Sequence, residues 1–191
     1  AKASSIFRTL TNLKFPLEKI VYGVNNELVE AKFKGMFVTA VFGKLNIKTG
    51  ELIFINAGHE SILLFDENKN YEYIKSDMPP IGIIKYFTET MVKSNTINLK
   101  DKTFVVYTDG VTEGYLKNGA ELGAEGVQDI INKMTDITPK TIVEGIENQL
   151  NWGAEKLRDD ITCMAINIKN TELLKKNKWH FNDYIKILSY I

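Results

Sequence analysis

Thiols, net charge and long apolar runs are what this chain has least of. A single cysteine, Cys163, stands among 191 residues, so neither a disulfide framework nor a cysteine metal knuckle can form within the chain. Cys163 lies inside the apolar run 161–168, where a lone thiol packs as a small apolar residue. Polar groups interrupt every apolar segment well short of the ~20 residues that a membrane span needs. The N-terminus carries no basic stretch, apolar stretch and cleavage pattern, and the expected location is the cytoplasm. Lys plus Arg and Asp plus Glu number 24 each, so no global field favours nucleic acid. No internal repeat or low-complexity segment is visible. What is present, 44% hydrophobic and 25% charged residues, suits one well-filled core.

Periodicity divides the chain. Ile6, Phe7, Leu10 and Leu13 recur at helical spacing, and Leu17, Ile20, Val21, Val24 and Leu28 do so again after Pro16, which suits a first helical turn. Residues 37–45 and 52–57 then read as strands around Lys48-Thr49-Gly50, and 62–65 and 71–74 as strands around residues 66–70, giving two antiparallel hairpins. Residues 78–82 break regular structure, and 88–99 read as one strand or two short ones. Residues 104–107 form a buried strand. Val127, Ile130, Ile131 and Met134 mark a short helix, while Thr138-Pro139 caps a longer one along Ile142, Val143, Ile146 and Leu150. Residues 161–168 return to strand. Beyond residue 170, Lys175, Lys176 and Lys178 precede Trp179, Tyr184, Ile187, Leu188 and Ile191, read as a basic linker and an amphipathic C-terminal helix over 170–191.

Two acidic clusters stand at strand mouths. Asp109-Gly110 follows residues 104–107, and Asp159-Asp160 precedes 161–168. Either alone fits a turn, because Asp and Gly satisfy turn backbones locally. Together they suggest hard oxygen ligands for one shared cation, with Gly110 letting the chain turn sharply or leave backbone exposed beside Asp109. A covalent phosphoryl-transfer route through Asp109 would need a nucleophilic aspartate two residues earlier, where Tyr107 stands.

Five strings in order, Met36-Phe37-Val38-Thr39-Ala40-Val41-Phe42-Gly43, Asn56-Ala57-Gly58-His59, Pro80-Ile81-Gly82, Tyr107-Thr108-Asp109-Gly110-Val111-Thr112-Glu113 and Asp159-Asp160-Ile161-Thr162, resemble the SpoIIE/RsbU-like branch of the metal-dependent PPM serine/threonine phosphatases. The resemblance covers residues 1–169. It implies an α+β fold, two antiparallel β-sheets packed as a sandwich with flanking helices (αββα). It further implies two Mn²⁺ or Mg²⁺ ions that activate a bridging water for in-line attack on phosphorus. Carried over by motif, Asp109 and Asp159 are the catalytic metal ligands, and Asp160 is a ligand or a group that orients one. His59 receives no chemical role.

The implied activity is hydrolysis of phosphoserine or phosphothreonine on a regulatory protein of the anti-sigma antagonist type, in bacterial stress or sporulation signalling, under a sensor domain upstream. In the family, strands with a Gly-Asp pair and a Gly-His-Gly turn precede the first helix. This chain begins at that helix, so the expected fold lacks those N-terminal strands. A non-catalytic interaction module that keeps the fold without a complete two-metal site is the alternative. An uncovered edge on 37–45 would then be met by a homodimer, a swapped segment or the helix expected over 179–191.

Overall fold

Residues 2–30, 37–85, 87–151, 160–168 and 184–188 are described by a computed structural model. Two helices open the chain, α1 at Lys2–Thr11 and α2 at Leu17–Glu30. Pro16 stands just before α2, and its carbonyl accepts from Ile20 N at 3.1 Å, so the missing proline N–H costs the helix nothing. Among the described residues, eight strands follow, interleaved with three further helices and a 3₁₀ turn at Glu89–Met91. They are β1 (Ala40–Leu45), β2 (Glu51–Ala57), β3 (Ile62–Asp66), β4 (Tyr71–Ile74), β5 (Asn95–Asn98), β6 (Lys102–Tyr107), β7 (Cys163–Ile166) and β8 (Tyr184–Leu188). The helices are α3 (Asp109–Thr112), α4 (Gly123–Lys133) and α5 (Pro139–Gln149). Two antiparallel sheets with flanking helices result, ordered β5-β2-β1-β8 and β4-β3-β6-β7.

The chain forms two units, one of residues 1–59, 75–98 and 170–191 and the other of 60–74 and 99–169. In the first, α1 and α2 cover the sheet face that presents Ala40, Phe42, Ile55 and Ala57. Phe7, Ile20, Val21 and Val24 fill the space between. Each such side chain contributes about 1.5–3 kcal/mol when fully buried, enough for the tertiary contact rather than helix propensity to hold two short helices. The alternate residues Val41, Leu52 and Phe54 are buried as well.

In the second unit, α4 and α5 pack Val127, Ile131, Ile142 and Ile146 on Leu63, Phe65, Val105 and Tyr107. Thr138 starts α5 as expected. Its hydroxyl accepts from Thr141 N at 3.1 Å while Thr141 Oγ1 accepts from Thr138 N at 2.9 Å, with Pro139 in the first turn. The β3–β4 turn is organised by Asp66, whose Oδ1 accepts from the N–H groups of Asn68 and Asn70 at 2.9 and 2.8 Å. Lys69 adopts a left-handed φ of 64° there and donates from Nζ to the carbonyls of Asn132 and Met134 at 2.8 and 2.7 Å, satisfying the orphan end of α4.

Several expectations are corrected. The amphipathic helix expected near the C-terminus is, at residues 184–188, the strand β8, antiparallel to β1 from Ala40↔Leu188 to Lys44↔Tyr184. Tyr184, Ile185 and Ile187 favour extended backbone, and β1 offers a row of ladder partners that a short isolated helix would not have. The basic linker lies outside the described residues. The first strand starts at Ala40 rather than 37, because Val38 leaves to pair with Ile81. Between 88 and 99 only β5 is a strand. Gly110 makes no sharp turn at positive φ; it continues into the single turn α3, because Asp109 supplies a first-turn acid at a helix start.

Candidate functional site

The two acidic clusters belong to neighbouring strands. β6 and β7 run antiparallel with Tyr107 opposite Cys163, so the C-terminal mouth of β6 and the N-terminal mouth of β7 are one end of the sheet. Past that last pair, Thr108 N donates to Thr162 O at 2.9 Å. The Thr108 hydroxyl donates to the Asp160 carbonyl at 2.9 Å and accepts from Thr162 N at 3.0 Å. Asp109 follows at once and opens α3. Asp109 Oδ1 accepts from Gly110 N at 2.9 Å, and its carbonyl accepts from Thr112 Oγ1 at 3.0 Å and Glu113 N at 2.8 Å.

Asp109 is therefore half-buried and fixed by its own helical turn, while Asp160 is exposed. Asp159, the other expected ligand, lies outside the described residues. The structure thus brings Asp109 and Asp160 to one sheet end. Among the described residues no lysine or arginine pairs with Asp109, and no cluster of three or more His, Cys, Asp or Glu side chains is gathered for a metal. In kind, the donors fit a hard divalent cation, since carboxylate oxygen open to solvent is what Mg²⁺ or Mn²⁺ takes.

The groups beneath the acids do not ionise near neutrality. Tyr107 is 2% exposed, and burial, ahead of its neighbours Tyr73, Glu60 and Cys163, raises its hydroxyl pKa. Burial also pushes the Cys163 thiol up to about 11, in keeping with a packing role.

The other three strings meet in the first unit and do structural work there. His59 is buried, with Nδ1 3.3 Å from Thr39 Oγ1 and its backbone N–H donating to Asn56 Oδ1 at 2.9 Å. Gly58 sits at φ 65°, where an added Cβ would lie 2.4 Å from Pro80 Cδ, so glycine is required on both counts. Ser76 Oγ accepts from Gly58 N at 2.8 Å. Val38 and Ile81 exchange both backbone bonds, at 2.9 and 3.0 Å, and Asn25 Oδ1 accepts from Gly82 N at 2.9 Å. Asn25, Ser76, Thr108 and Thr162 were not singled out from the sequence. The threonines could have been, since each stands one or two residues from an acid at a strand mouth.

The Stage II sporulation protein E (SpoIIE) family model matches residues 1–169. The chain belongs to the SpoIIE family. Protein IcfG of Synechocystis sp. is 27% identical over 138 residues, 69% of this chain and 20% of that protein. The RsbU and RsbW domains of a Mycobacterium tuberculosis protein match with a TM-score of 0.66 at 19% identity, over 87% of this chain and 47% of that one. The PP2C phosphatase domain with a regulatory fragment of Bacillus subtilis SpoIIE matches with a TM-score of 0.67 at 14% identity, over 87% and 48%. These likenesses show a SpoIIE-type PP2C phosphatase fold. The chain spans a fifth of that curated relative and about half of each of those two structures. No helix among the described residues is long and apolar enough to cross a membrane.

Proposed function

We propose that the chain is the phosphatase domain of a phosphoprotein phosphatase that hydrolyses phosphoserine or phosphothreonine on a regulatory partner. The observation that carries this reading is the meeting of the Asp109 and Asp160 loops at one end of the β6–β7 pair, joined through Thr108. Asp109, Asp159 and Asp160 would hold Mn²⁺ or Mg²⁺. RsbX, a further structural neighbour with a TM-score of 0.57 at 16% identity, was crystallised with magnesium. When bound, such an ion lowers the pKa of its water and draws charge from phosphoryl oxygens. The chain's own part is to aim carboxylates at one place. Asp109 is held by its helical turn, and the β7 mouth is tied to it by backbone and hydroxyl bonds.

The partner class is supported by the family and by a structural neighbour that joins RsbU and RsbW domains. A phosphorylated antagonist of an anti-sigma factor is the proposed substrate, with a sensor domain upstream controlling hydrolysis in the cytoplasm; the homodimer expected to cover an open edge on 37–45 loses that ground, because β8 pairs along β1. Phosphate release from a phosphoserine protein of that type, in Mn²⁺, tests the reading. Wild-type turnover together with its loss in Asp109→Asn is expected. Equal turnover in the two proteins would remove Asp109 from the site, and no turnover in either would leave the non-catalytic module as the reading.

A further inference from the structure

We infer that Thr108 is a positioning residue for the acidic site, its hydroxyl setting how far the loop of Asp109 stands from the loop of Asp160. The role rests on the metal reading proposed above. Thr108 is 5% exposed, and a hydroxyl buried to that degree needs partners. It has two, one in each sense, the Asp160 carbonyl as acceptor and Thr162 N as donor.

Position makes this use of the hydroxyl unusual. Thr108 is the N-cap of α3, with extended φ −83° and ψ 161°, yet its side chain makes no cap hydrogen bond. At an ordinary helix start a threonine hydroxyl would accept from the second or third backbone N–H. Here α3 is closed by Val111 N donating to Thr108 O at 2.9 Å and by Thr112 Oγ1 on the Asp109 carbonyl. The Thr108 side chain is released to reach across to β7 instead.

Consequences follow for the carboxylates. The β6–β7 ladder ends at Tyr107↔Cys163, and strand ends beyond a ladder open most readily. Three hydrogen bonds from Thr108 extend the contact to the residue adjoining Asp109 on one side and to the backbone of Asp160 itself on the other. Oxygen ligands must reach a divalent ion at ~2.0–2.6 Å, so a shift of either loop is read directly as metal affinity. Groups that orient ligands in this way typically change affinity or activity about 10–100-fold when lost.

The test is calorimetric titration of Mn²⁺ into the metal-free intact protein, with a thermal melt beside it. Thr108→Val keeps the shape and deletes both hydroxyl bonds, and Thr108→Ser keeps the hydroxyl. Thr103→Val is the control, a buried threonine on β6 whose Oγ1 lies 3.4 Å from Asn167 Nδ2. We expect Mn²⁺ affinity to fall about 10–100-fold in Thr108→Val, to recover in Thr108→Ser, and to hold in Thr103→Val. Should Thr108→Val melt below the assay temperature, Thr108→Ala is read in its place with the same expected weakening. Wild-type affinity in the folded variant lacking the hydroxyl, or an equal loss in Thr103→Val, overturns the role of Thr108 alone. Mn²⁺ binding that is absent in the wild type, or unchanged by Asp109→Asn, overturns the metal reading beneath it.

Discussion

The two units of this protein use the same device, a side chain that ties neighbouring backbone segments, toward different ends. In the first, Asn25, Ser76 and Asn56 fasten residues 56–59 and 80–82, and the result is a covered junction in which Gly58 meets Pro80 and His59 is buried. In the second, Thr108 fastens two strand mouths, and the result is a rim on which Asp109 is half-buried and Asp160 exposed. Familiar motifs therefore divide by what they leave facing water. Those that end in covered glycine, proline and histidine hold shape, whereas those that end in solvent-reaching carboxylates are available for chemistry.

The largest effect should come from the rim. Asp109→Asn is expected to lower phosphatase turnover on the order of a hundredfold or more, by weakening the ion and its hold on water, while its Tm stays within a few degrees of wild type. A large drop in Tm would show Asp109 to be part of the scaffold and break the contrast. Next comes the junction. Gly58→Val must adopt left-handed backbone, costing about 1–2 kcal/mol, and overlap Pro80, costing about 1–3 kcal/mol. At roughly 2–4 °C per kcal/mol, a fall in Tm of roughly 5–15 °C is expected by calorimetry, and an unchanged melt would show that the junction is loose.

Cys163 probes where rim gives way to core. With its thiol pushed up to about 11 by burial, alkylation by iodoacetamide at pH 8 should run on the order of a hundredfold slower than that of a free thiol. Labelling at the free-thiol rate would mean that the sheet end beneath Asp109 is open. The smallest effect belongs to Asp66, whose carboxyl is held below its ordinary range first by the Asn70 side-chain bond. A depressed folded pKa contributes stability that is present above the unfolded value of about 3.9 and is lost as pH falls through the folded one. Asp66→Asn should therefore be slightly less stable than wild type at pH 7 and indistinguishable near pH 2, with turnover unaffected. A melt difference that persists at pH 2 would show a structural cost beyond the charge.

Local pattern alone was enough for much of this protein. The helical spacing of Ile20, Val21 and Val24, the turn residues between β3 and β4, the Thr138-Pro139 start of α5 and the apolar run before Asp109 each depend on chemistry within a few residues, which the chain carries wherever it folds. The five ordered strings were legible through their resemblance to a family, and the two acidic strand mouths through their place at the ends of apolar runs. Tertiary structure decided the rest. Residues 184–188 became a strand because β1 offered them a ladder, and Val38 left β1 because Ile81 was within reach. The Thr108 hydroxyl turned from capping α3 to bonding Asp160, a partner 52 positions along the chain. A ladder or a long-range hydrogen bond is the joint property of two segments, and neither segment's own periodicity contains the other.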